Sequence, residues 1–314
     1  MTGETRCLTN ITTVSFLCMK RNKGGTAART ETATWAFLLA PSLSLLLFLV
    51  LVPIGFVLVY SFWLRTATGA VRPEFNLGNW RELFGDTYYW EILGRTMFLA
   101  VTTTAICAVI GYVVAYFLAN TRIKRRMLLI LLLMMPFWIS FVIRTLSWIH
   151  VLGTTGVVNS LLQSLGLTDH PVKLLYNDVS IYMGLIHVLL PFMVLNIFVS
   201  LDGIDRNTVS AARTLGATPW RAFLDVVLPL SLPGLGAGCL LCFVLCSGTY
   251  ITPLLLGGPG NFMFASLIYD SVIGQFDWPF GATLSILLLV LLGAVVLAYN
   301  RYMGLSQVFR SFAR

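Results

Sequence analysis

Charged residues in this chain are confined to short clusters, and the runs between the clusters are long. Residues 32–64, 96–121, 127–143, 179–201, 226–269 and 278–300 contain no Asp, Glu, Lys or Arg. A charge at the bilayer centre costs about 3 kcal/mol by insertion scales, and about 20 apolar residues cross the hydrocarbon core, so these gaps read as membrane spans. Helices are predicted at about 35–62, 97–119, 128–150, 180–201, 234–256 and 281–300. The composition agrees, with 57% hydrophobic and 11% charged residues where a soluble domain carries about 25% charged. In 314 residues, six spans leave room for connectors but not for an additional soluble catalytic domain. The chain is therefore expected to be an all-α membrane protein with a six-helix domain over 35–300, and one charge, Arg144, falls within the third span.

The distribution of Lys and Arg orients the spans. One side collects fifteen basic residues: Arg6, Lys20, Arg21, Lys23 and Arg29 in the tail 1–34; Arg122, Lys124, Arg125 and Arg126; Arg206, Arg213 and Arg221 in the loop 202–233; and Arg301, Arg310 and Arg314 in the tail 301–314. The other side has five, four of them in or bounding the loop 63–95, together with eight of the thirteen acids. The positive-inside rule then places both termini in the cytoplasm and the 63–95 loop outside. The formal net charge of +8 becomes a record of topology, and no nucleic-acid partner is expected. The apolar run from Trp35 to Trp63 is too long for a signal-peptide core and is expected to stay as an anchor, while Asn10-Ile11-Thr12 is a chance glycosylation pattern on the cytoplasmic side.

Enzymatic readings find no residues to work with. His150, His170 and His187 are far apart, no H-E-x-x-H occurs, and none of the four lysines follows a glycine as a phosphate loop requires. No catalytic residue, metal site or bound cofactor is expected. Cys239, Cys242 and Cys246 share one face of the fifth span, where small residues serve close helix packing and no His or carboxylate supports a metal. With no carboxylate within the predicted spans, an ion-coupled relay is disfavoured, so uphill transport would need ATP hydrolysed by another chain.

The loop between the fourth and fifth spans carries the most information. Thr208 to Leu215 is helix-compatible, Gly216 supplies a left-handed stop, Thr218 is an expected N-cap, and Pro219 opens a second short helix. That helix presents Trp220, Phe223, Leu224 and Val227, and Leu228-Pro229 is expected to end it. A capped helical hairpin with exposed apolar residues is either an interaction surface or an element resting on the bilayer.

Ser210-Ala211-Ala212, Gly216-Ala217, Phe223, Leu228-Pro229 and Pro233-Gly234 resemble the EAA loop of inner-membrane permease subunits of bacterial ABC importers, with Ser210 standing where the family usually has Glu. Further segments are similar to the spermidine/putrescine-type permeases: Pro136-Phe137-Trp138 with Ile143-Arg144 and Trp148, Leu189 to Met193, Tyr250-Ile251 before Leu256-Gly257-Gly258, and Asp277 to Gly281. The resemblance implies the six-helix, MetI-like permease fold of type I importers. It further implies a cytoplasmic ABC ATPase dimer that uses ATP and Mg, a second permease subunit and a periplasmic solute-binding protein. The ATPase-coupling residues would be Ser210, Ala211, Ala212, Gly216, Ala217, Trp220, Phe223, Leu228 and Pro229.

For a substrate pathway, Pro136 and Pro191 free carbonyls at bilayer depth, and Trp138, Trp148 and Tyr250 offer ring faces to an organic cation, against core packing or interfacial anchoring as the plainer roles. Arg144 is expected to snorkel or to bond backbone carbonyls, with a gate as the alternative. Asp270 and Asp277 lie at the outer mouth. A polyamine needs carboxylates that the predicted spans lack, so the second permease is expected to be a distinct chain that supplies them. A stand-alone carrier or channel, and an ABC permease for another small solute, stay open.

Overall fold

The computed structural model describes residues 27–66, 69–258 and 260–303. The expectations for residues 1–26 and 304–314, including the glycosylation pattern and most of the tail charges, lie outside the described residues. The elements run α1 (Ala27–Tyr60), β1 (Leu64–Arg65), β2 (Val71–Arg72), α2 (Gly78–Gly85), α3 (Thr87–Asn120), α4 (Ile123–Met134), α5 (Phe141–Leu152), α6 (Val157–Ser164), α7 (Asp178–Asp202), α8 (Arg206–Thr214), α9 (Pro219–Ala222), α10 (Leu228–Ser247), α11 (Ile251–Leu256), α12 (Phe264–Tyr269) and α13 (Trp278–Met303). Six segments are long and apolar enough to cross a membrane: Ala40–Tyr60, Thr87–Asn120, Phe141–Ser164, Asp178–Asp202, Pro219–Ser247 and Trp278–Arg301.

Two compact units divide the chain, Met1–Ile54 and Gly55–Arg314. Within the described part of the first, α1 runs without interruption through Pro41 and Pro53.

In the second unit, α3, α7 and α10 form the core. Leu99, Cys107 and Leu118 of α3 meet Leu185, Leu189, Met193 and Ile197 of α7 and Cys242 and Cys246 of α10, all buried. Burying a leucine-sized side chain contributes about 2 kcal/mol in water, but lipid is as apolar as leucine, so close packing must hold these helices together. Gly234 shows how close: a Cβ there would lie 2.3 Å from Ser200 Cβ and 2.6 Å from the Asn196 carbonyl oxygen. Cys107, Cys242 and Cys246 are buried in this packed seam, in keeping with the small-residue reading. A second cluster joins Leu83 of α2 and Ile92 of α3 to Phe264 and Leu267 of α12 and Phe280, Leu284 and Leu288 of α13.

Three predicted boundaries change. The second span begins ten residues early, at Thr87, because Asp86 caps it by accepting the Tyr88 N–H at 2.9 Å. The helix therefore takes in Glu91 and Arg95. The third span is not one helix over 128–150. Helix α4 tightens into a 3₁₀ turn at Met135–Trp138 and the chain turns extended at Ile139 and Ser140 before α5 begins. Pro136 has no N–H for the Leu132 carbonyl and its ring displaces that carbonyl, so the helix breaks where a bend was expected. The membrane-length segment is α5 followed by α6.

The fifth span differs in the opposite sense. Pro229 does not stop the short helix: α9 passes through a π turn at Phe223–Val227 directly into α10. The Leu228 N–H donates to the Phe223 carbonyl, one residue further back than in an α-helix. That wider turn lies where Pro229 can donate nothing, so the proline is accommodated without a break. The helix then ends at Ser247, and Ile251–Leu256 forms a separate short helix.

Candidate functional site

The loop after α7 is a rigid hairpin of two capped helices. Asp205 caps α8 by accepting the Asn207 N–H at 2.9 Å. At its other end Gly216 takes φ +91°, its N–H donates to the Arg213 carbonyl at 3.0 Å, and the Ala217 N–H donates to Ala212 at 3.1 Å. This pair of bonds is a Schellman stop, and only a residue without Cβ takes that φ at low cost. Thr218 Oγ1 accepts the Arg221 N–H at 3.3 Å and Pro219 sits in the first turn of α9. Phe223 anchors the hairpin, meeting Tyr112 and Tyr116 of α3 edge-on at 5.8 and 5.5 Å while Trp220 stacks on it at 5.6 Å.

The remaining residues of the hairpin face outward or cover its base. Leu215 and Trp220 are 89% and 67% exposed. Ser210, Ala211 and Pro229 are exposed, and Ala212, Ala217 and Leu228 are half-buried. Ser210 donates to the Arg206 carbonyl of its own helix at 3.0 Å.

The three aromatic residues picked out for the pathway are not brought together. Trp138 lies on the 3₁₀ turn and is 77% exposed. Tyr250 stacks on Tyr269 with ring centres 4.9 Å apart and an interplanar angle of 16°. Trp148 is half-buried and donates its indole N–H to His187 Nδ1 of α7 at 2.9 Å. That bond places the proton of a neutral His187 on Nε2. It is a sequence-distant pair that the sequence reading missed, since His187 carried no motif around it. Replacing Trp148 with Phe is expected to lower the thermal midpoint by an amount equivalent to about 1 kcal/mol, while Trp148→Phe with His187→Phe costs less than the sum of the two single changes. Thermal unfolding of the four proteins of that cycle measures the coupling.

Arg144 corrects an expectation. Carbonyl bonding of Nε and Nη1 is not found among the described residues: the residue is 8% exposed, and both atoms are buried without an acceptor there. The guanidinium instead sits 5.3 Å from the Phe137 ring centre, and Phe137 meets Phe192 edge-on at 4.9 Å. A ring face contributes roughly 0.5–2 kcal/mol to a cation and does not replace hydrogen bonds. Both phenylalanines directly follow a proline: Pro136, where the helix breaks, and Pro191, which α7 takes in without interruption. Arg144→Met is expected to raise the thermal midpoint, by relief of about 1–3 kcal/mol of desolvation, and to lower transport, because an orphaned buried charge is retained against its own cost. Parallel melting and uptake measurements check this; a variant unchanged in both removes any special role for the guanidinium.

At the end of the chain that carries α2 and the start of α3, Glu82, Tyr88, Tyr89, Asp270, Asp277 and Phe280 contribute to the lining of a cavity of about 220 Å³. Asp277 is already engaged, paired with Arg65 at 3.3 Å and accepting the Phe280 N–H at 3.0 Å, while Asp270 accepts from Gln275 at 2.8 Å. The segment 63–95 contributes the antiparallel β1–β2 pair and, with Phe62 just before it, a chain of rings from Phe75 through Phe62, Trp80 and Phe84 to Trp90.

No family model matches the chain. Among known proteins, the spermidine/putrescine transport system permease protein PotB of Escherichia coli is 36% identical over 241 residues, covering 77% of this chain and 87% of that protein. PotB of Haemophilus influenzae is 33% identical over 258 residues, with 82% and 90% covered. The inner membrane ABC transporter permease protein YdcU of Escherichia coli is 30% identical over 249 residues, with 76% and 79% covered. A solved bacterial alginate ABC transporter, in complex with a periplasmic protein bound to alginate pentasaccharide, contains a chain of the same fold. Its TM-score is 0.67 at 18% identity, covering 88% of this chain and 95% of that one. Six membrane-length helices, this shared fold and identity of a third or more across three quarters of the sequence together mean that the chain belongs to the PotB family of ABC transporter permease proteins.

Proposed function

We propose that this chain is one permease half of an ATP-driven, binding-protein-dependent importer of a polyamine such as spermidine or putrescine in the inner membrane. The observation that carries the reading is the 36% identity to the spermidine/putrescine permease PotB over 77% of the chain. Both termini and the 202–233 loop face the cytoplasm, in keeping with fifteen basic residues on that side against five on the other. The α8–α9 hairpin docks on a separate ATPase through Leu215, Trp220 and the Ser210–Ala212 face, and that chain, not this one, holds ATP and Mg. The support is physical: closing a nucleotide-binding dimer can move a pore only through a stiff element, and this hairpin is capped at both helices and continuous through the π turn with α10. A second, distinct permease completes the pathway and supplies membrane-depth carboxylates. The periplasmic binding protein docks by the 63–95 segment, near the cavity of Glu82, Asp270 and Asp277, whose charge suits an entering amine.

The test is uptake of radiolabelled putrescine and spermidine into proteoliposomes holding this chain, its ATPase and its second permease, with the binding protein supplied at the outer face. Uptake that needs both ATP and the binding protein is expected. Uptake by this chain alone would identify a stand-alone carrier, and uptake confined to other solutes would move the substrate assignment elsewhere.

A further inference from the structure

The short connection between α3 and α4 builds a basic cavity. It is lined by Arg122, Lys124, Arg125 and Arg126 and, from α8 some eighty residues later, by Arg206, with a volume of about 670 Å³. Arg126 pairs with Asp202 at 2.5 Å, fixing the start of α4 against the end of α7. Among the described residues, Arg122, Lys124, Arg125 and Arg206 have no carboxylate partner, so four uncompensated cations border one concavity. Arg122, at the N-cap of α4, provides no side-chain cap, leaving the first backbone N–H groups of that helix without a side-chain acceptor. Positive-inside topology accounts for basic residues on this side of the chain. It does not require that cations from two separate elements converge on one uncapped helix start.

A second feature begins at the same place. Ile123, Met127, Leu128, Leu131 and Leu132 are all exposed and recur at helical spacing, giving α4 an apolar strip that starts at the cavity and runs away from it. Twelve helical residues span about 18 Å, close to the depth of one leaflet, half of a hydrocarbon core of about 30 Å. A cationic pocket with an apolar strip one leaflet long matches the outline of an anionic phospholipid, headgroup phosphate in the pocket and acyl chain along α4.

We infer that this cavity and the α4 strip form a binding site for an anionic phospholipid of the leaflet at the α3–α4 connection. The inference rests on the proposed function only for naming that leaflet cytoplasmic. The headgroup phosphodiester is held by Lys124, Arg125 and Arg206 and by the N-terminal amides of α4. Because Arg206 opens the hairpin proposed to dock on the ATPase, the lipid also ties that hairpin to the membrane surface.

The test is native mass spectrometry of the full-length chain, with any subunits that co-purify, released from nanodiscs of phosphatidylcholine and phosphatidylglycerol in known ratio. Wild type is expected to retain phosphatidylglycerol preferentially. Lys124→Gln with Arg125→Gln should cut that preference about 30-fold, and Arg206→Gln, which leaves the topogenic α3–α4 connection untouched, about 5-fold. Equal retention of the two lipids by wild type, or a preference unmoved in Arg206→Gln, would overturn the site. So would displacement of the lipid by millimolar inorganic phosphate, the mark of a simple anion site, or loss of the ATPase with lipid preference intact, the mark of a protein-docking surface. None of these readouts uses transport, so failure of the polyamine reading leaves the lipid result standing.

Discussion

Gly234→Leu is expected to abolish accumulation of the folded protein, and Gly234→Ala to lower its thermal midpoint by several degrees. The reason is backbone geometry at the crossing of α7 and α10. A methyl at residue 234 would fall 2.6 Å from the Asn196 carbonyl oxygen and 2.3 Å from Ser200 Cβ, and neither atom can turn away as the end of a long side chain can. Both residues are tied down, Asn196 donating to the Phe192 carbonyl at 2.8 Å and Ser200 to the Leu230 carbonyl at 3.4 Å. Relief requires the helices to separate, which loses contact along a seam that dispersion must hold, so the cost is on the order of 3 kcal/mol or more. Gly238 is the control. Its nearest neighbour is the Met193 sulfur at 2.8 Å, which can rotate, so Gly238→Ala should cost about 1 kcal/mol. Thermal unfolding in detergent decides the matter, and a Gly234→Leu protein that melts like wild type would show that the two helices do not pack as described.

The second large effect is expected at Gly216, and it falls on coupling more than on stability. Val at φ +91° is a severe outlier, costing about 1–2 kcal/mol in the left-handed region before any loss of the Schellman bonds. Open space surrounds the position, so the penalty is conformational and not steric. The chain can escape it by unwinding the turn, which swings α8 relative to α9 while leaving the α3–α7–α10 core untouched. Gly216→Val is therefore expected to fold with a near-normal midpoint yet lose at least about tenfold of the ATPase stimulation by loaded binding protein, the factor set by about 1.4 kcal/mol. Gly216→Asn, which tolerates left-handed backbone, should retain most of it. Full stimulation in Gly216→Val would mean that the hairpin does not carry the coupling.

The caps at Thr218 and Pro219 and the stop at Gly216 were legible in the sequence because each is a local rule: a side-chain oxygen for a free N–H, a ring that fits a first turn, a missing Cβ at positive φ. The gaps between charges likewise gave the number of crossings and marked the first, fourth and sixth closely. Prolines were harder to read. Pro136 and Pro229 present the same local chemistry, yet one breaks its helix and the other is absorbed by a π turn. What distinguishes them is whether the flanking residues are held in line. Phe223 and Val227, the first and last residues of the π turn, are both packed against the core, whereas α4 reaches Pro136 with only its Leu129, Ile130 and Leu133 side packed and its Met127, Leu128, Leu131 and Leu132 strip exposed.

The contacts that make the candidate sites were legible only in part. The bond between Trp148 and His187 spans 39 residues, the orphaned guanidinium of Arg144 depends on which ring happens to lie below it, and Arg206 reaches the α3–α4 cavity from another loop. The sequence by itself determined the solvent of this protein, the number of its crossings and the capped hairpin, because desolvation of charge and the capping of free backbone groups act within a few residues. Tertiary structure alone decided which proline bends become breaks, which helices touch at Gly234, and which cations are left without partners. Those outcomes turn on the packing of segments that lie tens of residues apart.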